Sequence, residues 1–377
     1  EMFRNSYFGG RTEVYKKHGE NLKHYDVNSL YPYCYTKKPI PIGKVGHTGT
    51  EFPLEDTDYG GVLKITGHVP EEACNGIPVL PYRYDPADMV DERVVFPSGD
   101  IEGWYMAKEV RYALEVGALE NVEIHDSYMS KYGYPFEDYG EALYDLKKSI
   151  DKEKNPGKYK VVKFLLNSFY GKFGMDREHK SVKIGPVTKN FMEGKEAISD
   201  RLTDKGIVLE EEESFAPYII PRIASAITAQ ARIEMHRWFM EVFDRGGNIW
   251  YCDTDSIVTD VSLPEGEELG EMDLEGELEE GVYLAPKVYA ENYKGEGELV
   301  KAKGMKDPEM AFNDYREAWS DNDPSRIKSK WESVRGFKAG MKDDGDSWFI
   351  SEEQSRSLQQ FDQKRNHGEN SSYPLTL

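Results

Sequence analysis

Two carboxylates, Asp253 and Asp255, lie one residue apart in the segment Tyr-Cys-Asp-Thr-Asp-Ser. The β-branched and aromatic residues on both sides predict two strands joined by a tight hairpin. Two anions this close repel each other strongly unless a cation lies between them or one of them is protonated. An isolated Asp-x-Asp pair is usually a solvated turn, so its significance depends on two segments that precede it.

The first of these segments, residues 25–32, contains a third carboxylate, Asp26. Asn28 or Ser29 is a suitable helix N-cap, and Pro32 is tolerated in a first helical turn. The pattern therefore predicts that Asp26 lies where a strand ends and a helix begins. Free backbone N–H groups at such a helix start can hold phosphate.

The second segment predicts a helix with a polar stripe. At about 100° per residue, one arc of this helix carries Lys160, Lys163, Asn167, Tyr170 and Gly171. The opposite side, which we expect to face the core, carries Val161, Val162, Leu165, Leu166 and Phe169. A lysine-rich stripe is most often a solvated surface. The asparagine and tyrosine in line with the lysines favour a binding surface instead.

Taken in order, these segments resemble motifs A, B and C of family B DNA polymerases. The matching patterns are Asp-x-x-Ser-Leu-Tyr-Pro from Asp26, Lys-x-x-x-Asn-Ser-x-Tyr-Gly from Lys163, and Tyr-x-Asp-Thr-Asp-Ser from Tyr251. Three further elements resemble the protein-primed branch of phages, adenoviruses and linear plasmids. They are the Tyr-x-Gly-Gly element at 7–10, the Thr-x-x-Ala-Arg element at 228–232 and the Lys-x-Tyr element at 287–289.

The resemblance implies phosphoryl transfer assisted by two Mg²⁺ ions, with Mn²⁺ as a substitute. Asp26 and Asp255 would be the bridging ligands, and the carbonyl of Val27 would complete the ion on the nucleotide side. Asp253 is the weaker catalytic candidate, a ligand near the primer end. The alternative for the first two aspartates is an N-cap and a turn residue.

The same resemblance assigns residues to the substrates. For the incoming nucleotide, Lys160 and Lys163 would neutralise the triphosphate, Tyr31 would exclude a 2′-OH, and the pocket would be lined by Leu30, Asn167 and Tyr170. For DNA, the candidates are Tyr7, Gly9, Gly10, Ser29, Thr228, Arg232, Lys287 and Tyr289. Three alternatives remain open: a core tyrosine at 31, a plain turn at the glycines, and a solvent-facing edge strand at 287–289.

The fold class implied is α+β, a right-hand polymerase fold with an antiparallel palm, helical-hairpin fingers and a small thumb. We predict palm at 1–37, a first insertion at 38–138, fingers at 139–174, a second insertion at 175–216, palm again at 217–302 and thumb at 303–377. The breaker at 155–157 predicts a helix pair, over 136–154 and 158–170. Further helices are predicted over 107–116 and 223–243, with helical patterning at 314–319 and 327–334.

Other strands are predicted at 60–67, in an extended segment at 78–83, and in a β-arm that includes 181–184 and 206–209. The segment Asp100-Ile101-Glu102 resembles the first exonuclease motif. It follows motif A, whereas the exonuclease of this family precedes the Tyr-x-Gly-Gly element. We therefore interpret Asp100 as the cap of a helix carrying Trp104 and Tyr105. We expect a polymerase core without its exonuclease domain.

Composition sets limits on these assignments. The formal net charge is −21, which is unusual for a protein that holds nucleic acid. Lysines gather instead between 147 and 163, so a local positive channel on an acidic body is expected. Three scattered cysteines favour a reducing compartment, and no apolar run is long enough to span a bilayer. We expect a monomer in the cytoplasm of an infected or plasmid-bearing host cell.

The expected partners are template-primer DNA, deoxynucleoside triphosphates and a terminal protein as primer. Two other functions remain open at this point. One is a self-priming relative that starts strands without a terminal protein. The other is a DNA-binding remnant that has lost catalysis, which the acidic charge keeps in consideration.

Overall fold

The computed structural model describes residues 1–85, 93–175, 178–184, 196–197, 207–213, 218–305, 310–335, 350–368 and 371–377. For 178–184, 196–197, 207–213, 333–335 and 350–352 it describes the backbone alone. The helices are α1 (Met2–Asn5), α2 (Leu30–Lys37), α3 (Ala107–Glu115), α4 (Glu137–Ser149), α5 (Pro156–Phe173), α6 (Pro221–Asp244) and α7 (Phe312–Ser320).

The strands follow in chain order. The first half of the chain has β1 (Thr12–Val14), β2 (His18–Val27), β3 (Ile40–Pro41), β4 (Gly46–His47), β5 (Tyr59–Val69), β6 (Tyr82–Tyr84), β7 (Arg93–Val95), β8 (Gly99–Met106), β9 (Glu120–Gly133) and β10 (Glu178–Ile184). The second half has β11 (Glu196–Ala197), β12 (Ile207–Glu213), β13 (Ile249–Asp253), β14 (Ser256–Thr259), β15 (Met272–Ala285), β16 (Val288–Tyr293), β17 (Gly297–Ala302), β18 (Lys328–Arg335), β19 (Ile350–Ser357), β20 (Arg365–His367) and β21 (Ser372–Pro374).

A seven-stranded antiparallel sheet forms the centre, in the order β1-β13-β14-β2-β15-β16-β17. One face packs against α2 and α6 in the largest apolar cluster, which includes Tyr25 and Ile257 from the sheet. The other face carries three buried tyrosines, with the Tyr251 ring 5.2 Å from Tyr283 and 5.1 Å from Tyr289. Strand β2, which carries Asp26, and the β13–β14 hairpin, which carries Asp255, therefore belong to a sheet packed on both faces.

Helix α6 confirms the element predicted over 223–243, but its burial differs from an amphipathic pattern. Of the residues from Ile223 to His236, only Ala226 is not fully buried. A helix that is buried nearly all round lies within a core rather than on a surface. This helix contributes residues to the apolar core of the central sheet and to the core of the strands within 38–138.

Helices α4 and α5 flank the predicted breaker and contact each other, which confirms the helix pair. Helix α5 fully buries only Val162 and Leu166. The expectation that its whole apolar side faces the core is wrong for Val161 and Leu165, which are 59% and 43% exposed. Val162 and Leu166 join the main core cluster with residues of α2 and α6, whereas Val161 and Leu165 lie outside that contact stripe.

Residues 38–138 form a second sheet in the order β3-β9-β5-β8, with β4 also paired to β9. It has its own apolar cluster with α3. The strand predicted at 60–67 and the helix predicted at 107–116 are both confirmed, and Gly117 follows the helix with φ +68°. The assignment of Asp100 as a helix cap is wrong. Asp100, Trp104 and Tyr105 all lie in β8, which pairs with β5 along its whole length.

The predicted β-arm contains β10 and β12, which pair antiparallel from Glu178–Glu213 to Ile184–Ile207. The strands predicted at 181–184 and over 207–209 are therefore confirmed, and β11 adds a third strand to this sheet. The remainder of the proposed arm includes 185–195, 198–206 and 214–216, which lie outside the described residues. The extended segment predicted at 78–83 ends in strand β6.

Beyond residue 303, helix α7 confirms the patterning at 314–319. The helical prediction for 327–334 is wrong, because these residues lie mostly in β18, which pairs with β19. Ile327 and Ser329 are buried while Lys328 and Lys330 are exposed. That period of two belongs to a strand.

Among the helices that the structure describes, none has the length and apolarity to cross a membrane.

Candidate active site

The carboxylates of motif C lie on a tight hairpin between β13 and β14. Thr254 occupies the turn with φ +65°, and the Asp255 N–H donates to the Asp253 carbonyl at 2.7 Å. Strand β14 then pairs with β2 so that Ser256 lies opposite Asp26. The Val27 N–H donates to the Asp255 carbonyl at 2.8 Å. The sheet thus brings Asp26 beside Asp255, as the motifs predict.

A cavity of about 380 Å³ opens over this junction. It is lined by His24, Asp26, Asp253, Thr254, Asp255, Ser256, Glu275, Lys287, Tyr289, Tyr293, Leu299 and Lys301. All three predicted catalytic aspartates therefore share one cavity with both residues of the Lys-x-Tyr element. The edge-strand alternative for that element is excluded, because β16 lies between β15 and β17.

The two bridging candidates are electrostatically strained. Burial, and then the charges of Asp255 and Glu275, raise the pKa of Asp26 to about 7. Burial, and then the charge of Asp253, raise the pKa of Asp255 to about 6, although its own backbone hydrogen bond and Lys287 act in the opposite direction. The protein therefore supplies too little positive charge around these two carboxylates to stabilise their ionised forms.

Asp253 has a different environment. Its carboxylate accepts from Lys287 Nζ at 2.6 and 2.9 Å, from the Thr12 hydroxyl at 3.0 Å and from the Thr254 hydroxyl at 3.2 Å. The protein itself therefore neutralises this carboxylate. Its predicted place as the weaker ligand agrees with these contacts, because fewer lone pairs are left for a metal ion.

The donor set fits a divalent cation. Asp26 and Asp255 offer hard carboxylate oxygens, which Mg²⁺ prefers, and their raised pKa values show that positive charge is missing beside them. Metal ligation by these two residues and by the Val27 carbonyl remains a prediction. The N–H of Val27 donates to the Asp255 carbonyl, so the backbones of these two residues are neighbours.

Aromatic rings border the site on the side of α5. The Tyr31 ring stacks on Tyr170 with centroids 4.1 Å apart. A Cβ on Gly10 would lie 2.7 Å from Thr254 Cγ2 and 3.0 Å from the Tyr31 hydroxyl, whereas a Cβ on Gly9 would meet nothing within 4 Å. A Cβ on Gly174 would contact the ring of Tyr7. Gly10 is therefore required by the hairpin and by Tyr31, and only Gly9 has an open side for a template strand.

Two lysines face the carboxylates from the helix pair. Lys163 of α5 lowers the pKa of both Asp26 and Asp255 through its charge. Lys147 of α4 donates to the Ser29 hydroxyl at 3.0 Å, and burial lowers its pKa, with Lys163 as the next cause. Lys160 and Asn167 lie exposed on α5, and their contact with a nucleotide remains a prediction.

Lys147 is a residue that sequence reasoning did not assign. Its signal was the lysine cluster between 147 and 163, but no spacing rule singles it out from Lys148. The Ser29 hydroxyl accepts from Lys147, and its contact with DNA remains a prediction.

Three substrate assignments are corrected by burial. Arg232 is 4% exposed; it pairs with Glu109 at 2.7 and 2.9 Å and donates to the carbonyls of Phe8 and Gly9. Thr228 is buried and donates to a carbonyl of its own helix. Neither side chain can reach DNA phosphates, and Arg232 holds the Tyr-x-Gly-Gly element instead. Leu30 is 1% exposed in the main core, so only its backbone is available to a nucleotide.

A buried ionic cluster supports the hairpin from behind. Glu13 is fully buried and has Arg11 at 3.2 Å and Arg365 at 3.8 Å. The Arg11 carbonyl accepts from the Thr254 N–H at 2.7 Å. The chain near residue 365 thereby contacts the strand next to the catalytic turn, a long-range pairing for which the sequence gives no signal.

A second unassigned network lies beside Asp26. His24 is two residues earlier on β2, and its Nδ1 is 3.0 Å from buried Glu291, which also accepts from Tyr283 and Tyr293. Burial alone would lower the pKa of His24, but Glu291 outweighs it and the pKa is raised. The raised pKa favours the protonated imidazole in the lining of the acidic cavity.

The antiparallel palm, its paired aspartates and the facing helix pair define a polymerase of the right-hand architecture. Among solved structures, the fold is similar to "Phi29 DNA polymerase complexed with primer-template DNA and incoming nucleotide substrates", with a TM-score of 0.72 and 20% identity. That match covers 95% of this chain and 62% of the phi29 chain.

The chain belongs to the family described as DNA polymerase type B, organellar and viral, whose model matches residues 1–236. It is 34% identical over 350 residues to a probable DNA polymerase of Neurospora intermedia, and 30% identical over 346 residues to one of Podospora anserina. These matches cover 86% and 80% of this chain but 35% and 27% of the relatives. The chain thus spans about a third or less of their length.

Proposed function

We propose that this chain is the polymerase core of a DNA-directed DNA polymerase, which adds deoxynucleotides to a primer 3′-OH. The observation that carries the proposal is the pairing of Ser256 with Asp26, which puts Asp26 and Asp255 on one cavity. Family membership and the likeness to the phi29 enzyme, which was solved with primer-template DNA and nucleotides, support it.

The proposed chemistry assigns the cavity residues as follows. Asp26 and Asp255 would hold two Mg²⁺ ions, or Mn²⁺, which supply activation of the 3′-OH and charge stabilisation of the leaving pyrophosphate. Lys163 of α5 and Lys147 of α4 face these aspartates from the helix pair and would neutralise the triphosphate. The ring of Tyr31 would lie under the sugar and exclude a 2′-OH.

The primer end would lie against Lys287 and Tyr289. Lys287 already neutralises Asp253, so the primer terminus would meet less repulsion from the three aspartates. A separate cavity of about 420 Å³ is lined by Pro286 and Val288, the sequence neighbours of Lys287, and its charged lining residues are Arg93, Lys303, Arg356, Lys364 and Asp362. This basic strip is a candidate path for the duplex on a chain whose net charge is −21. DNA binding should therefore weaken steeply with salt.

Protein priming is the finer part of the proposal. It rests on the resemblance of the elements at 7–10, 228–232 and 287–289 to the protein-primed branch. The sheets within the two proposed insertions, at 38–138 and among the described residues of 175–216, support it. The duties proposed for those insertions are contact with a terminal protein and strand displacement. A terminal protein would be a separate partner that presents a hydroxyl to the same two aspartates.

Primer extension with purified protein, Mg²⁺ and deoxynucleotides tests the proposal. Asp255→Ala should abolish extension, while Asp100→Asn, which removes an exposed carboxylate far from the cavity, should retain it. Extension that survives Asp255→Ala contradicts the proposal. Synthesis on single-stranded circles without any primer would replace protein priming by self-priming. DNA binding with no incorporation by the unmodified chain would indicate a remnant that has lost catalysis.

A further inference from the structure

A third cavity, of about 440 Å³ and with a partly polar lining, lies at the end of the central sheet opposite the proposed catalytic cavity. His18, at the start of β2, lines this cavity, whereas Asp26, near the end of β2, lines the proposed catalytic cavity. Eight residue steps at roughly 3.3 Å each separate the two by about 26 Å. Ligands in the two cavities would therefore not touch each other.

Aromatic rings form two walls of this cavity. The His18 ring stacks on Trp319 of α7, with centroids 4.2 Å apart and planes 15° from parallel. The Trp250 indole N–H donates to the His18 carbonyl at 2.8 Å, which fixes the Trp250 ring on β13. Both tryptophans are only half-buried. Indole surface that is held rigidly and left open is suited to stacking on a planar ring.

Two ammonium groups border the same space. Lys16 Nζ donates to the Asn248 side chain at 2.8 Å and lies 4.6 Å from the Trp250 ring. Lys17 Nζ lies 5.0 Å from the Phe361 ring. Burial lowers the pKa of both amines, so both are partly desolvated.

The carboxylates near these amines contact other polar groups and lie more than 4.0 Å from Lys16 Nζ and Lys17 Nζ. Asp260 accepts from Asn248, Asp362 pairs with His367 at 3.2 Å, and Glu280 pairs with His18 at 2.8 Å. Within the part of the chain that the structure describes, neither Lys16 nor Lys17 has a carboxylate within 4.0 Å. Two desolvated cations without an ion-pair partner attract a small anion.

We propose that this cavity binds one nucleotide unit, with its base stacked on Trp319 or Trp250 and its phosphate beside Lys16 and Lys17. Stacking with an adjacent cation is the general way in which proteins hold unpaired bases. The volume lies within the usual range for small-ligand sites, about 300–1,000 Å³. The unit can be a free nucleoside monophosphate or an unpaired nucleotide of single-stranded DNA, because the two share this chemistry.

Photo-crosslinking locates the site directly and separates the two sources. The probes are 5-iodo-deoxyuridine monophosphate and a short oligothymidylate carrying one 5-iodouracil, each irradiated with the whole chain in EDTA. Adducts are mapped by mass spectrometry. We expect adducts at Trp250, Trp319 or His18 with at least one probe. Adducts with both probes would show that the site accepts any nucleotide unit, free or within a strand. Adducts with the oligonucleotide alone would show that the ligand is single-stranded DNA.

Substitutions connect the adducts to the proposed chemistry. Lys16→Met with Lys17→Met should reduce adduct yield and affinity roughly tenfold. The control pair Lys44→Met with Lys328→Met removes the same charge from exposed positions outside this cavity and should change neither. Trp319→Leu should weaken binding about tenfold, while Trp319→Phe, which keeps a ring, should restore most of it.

Three results overturn the proposal. They are the absence of adducts at these rings, adducts unaffected by the double lysine substitution, and competition by deoxyribose 5-phosphate as strong as that by deoxyadenosine monophosphate. The assay needs neither metal nor catalysis. Its failure is therefore distinguishable from a failure of the polymerase proposal, and extension rates of the double lysine variant at saturating DNA should match those of the unmodified chain.

Discussion

The hairpin at 253–255, which we propose to be catalytic, and helix α5 face each other across one site, yet the protein holds them very differently. Around the hairpin, Asp253 has three side-chain partners and Gly10 has no room for a Cβ. On α5, Lys160 and Lys163 extend from a helix that fully buries two residues, and Phe164 is 66% exposed. The hairpin beside the metal candidates is thus held by side-chain contacts and close packing, whereas Lys160 and Lys163 lie exposed on α5.

This difference has a kinetic meaning. Rigid placement of charged groups lowers the barrier of the chemical step, because no reorganisation is needed when charge develops. Side chains on an exposed helix contribute when the nucleotide binds and orders them. Changes in the hairpin should therefore lower kcat, and changes on α5 should raise KM for the nucleotide.

The largest effect is expected at the bridging aspartates. Asp26→Asn or Asp255→Asn removes a proposed metal ligand, which is worth several kcal/mol in phosphoryl transfer, so kcat should fall at least about a thousandfold. Asp253→Asn should have a much smaller effect, because Lys287 already neutralises this carboxylate. Single-turnover primer extension measures all three. Equal losses at the three positions would contradict the distinction drawn from their contacts.

The next effect tests the tight packing of the hairpin with a matched pair. Gly10→Ala places a Cβ 2.7 Å from Thr254 Cγ2 and must displace the turn or Tyr31. A displacement of about 1 Å near reacting groups lowers rates by roughly a hundredfold. Gly9→Ala has open space and should leave kcat within about twofold. The same kcat for both variants would show that the hairpin tolerates displacement, and circular dichroism would check that both fold.

Local patterns were sufficient to predict the parts of the site formed by neighbours in sequence. The hairpin at 253–255 follows from its β-branched flanks, and the start of α2 follows from Ser29 and Pro32. Local signals could not predict that Asp26 and Asp255 lie together, because no local sequence preference indicates that two strands about 230 residues apart will pair. The ordered resemblance to polymerase motifs supplied that information.

The errors have physical causes that a sequence does not display. Arg232 looked available for phosphate because a charged residue is usually exposed, but Glu109 of helix α3 neutralises it in the core. The segment at 327–334 matched a helical period until its pairing with β19 selected the alternation of a strand. Arg365 reaches Glu13 only in the folded chain. In each case a distant partner determined the outcome.

On α5, the sharpest comparison is between Lys163 and Lys160, one turn apart. The charge of Lys163 already acts on both bridging aspartates, so Lys163→Ala should raise KM for deoxynucleotides about ten- to hundredfold, as for a lost charge-assisted hydrogen bond. Lys160→Ala should raise it less than about threefold. Steady-state extension over a range of nucleotide concentrations measures this. A larger effect at Lys160 would reverse the assignment of the two positions.

The smallest effect is on stability, and its sign depends on the raised pKa values of Asp26 and Asp255. Both exceed the value of about 3.9 expected in the unfolded chain. Between about pH 4 and pH 7 the folded state therefore binds more protons than the unfolded state, so the contribution of this pair to stability decreases as pH rises. Mg²⁺ binds the ionised pair and should offset that loss, raising Tm more at about pH 8 than at about pH 5.

Replacing the pair gives the decisive comparison. The double variant Asp26→Asn with Asp255→Asn lacks the repulsion, so in EDTA at about pH 8 its Tm should exceed that of the unmodified chain by a few degrees. At about pH 5, where the unmodified pair is largely protonated, the two Tm values should converge. Added Mg²⁺ should raise Tm only in the unmodified chain. A double variant that is less stable at about pH 8 would mean that these carboxylates stabilise the metal-free palm, contrary to their raised pKa values.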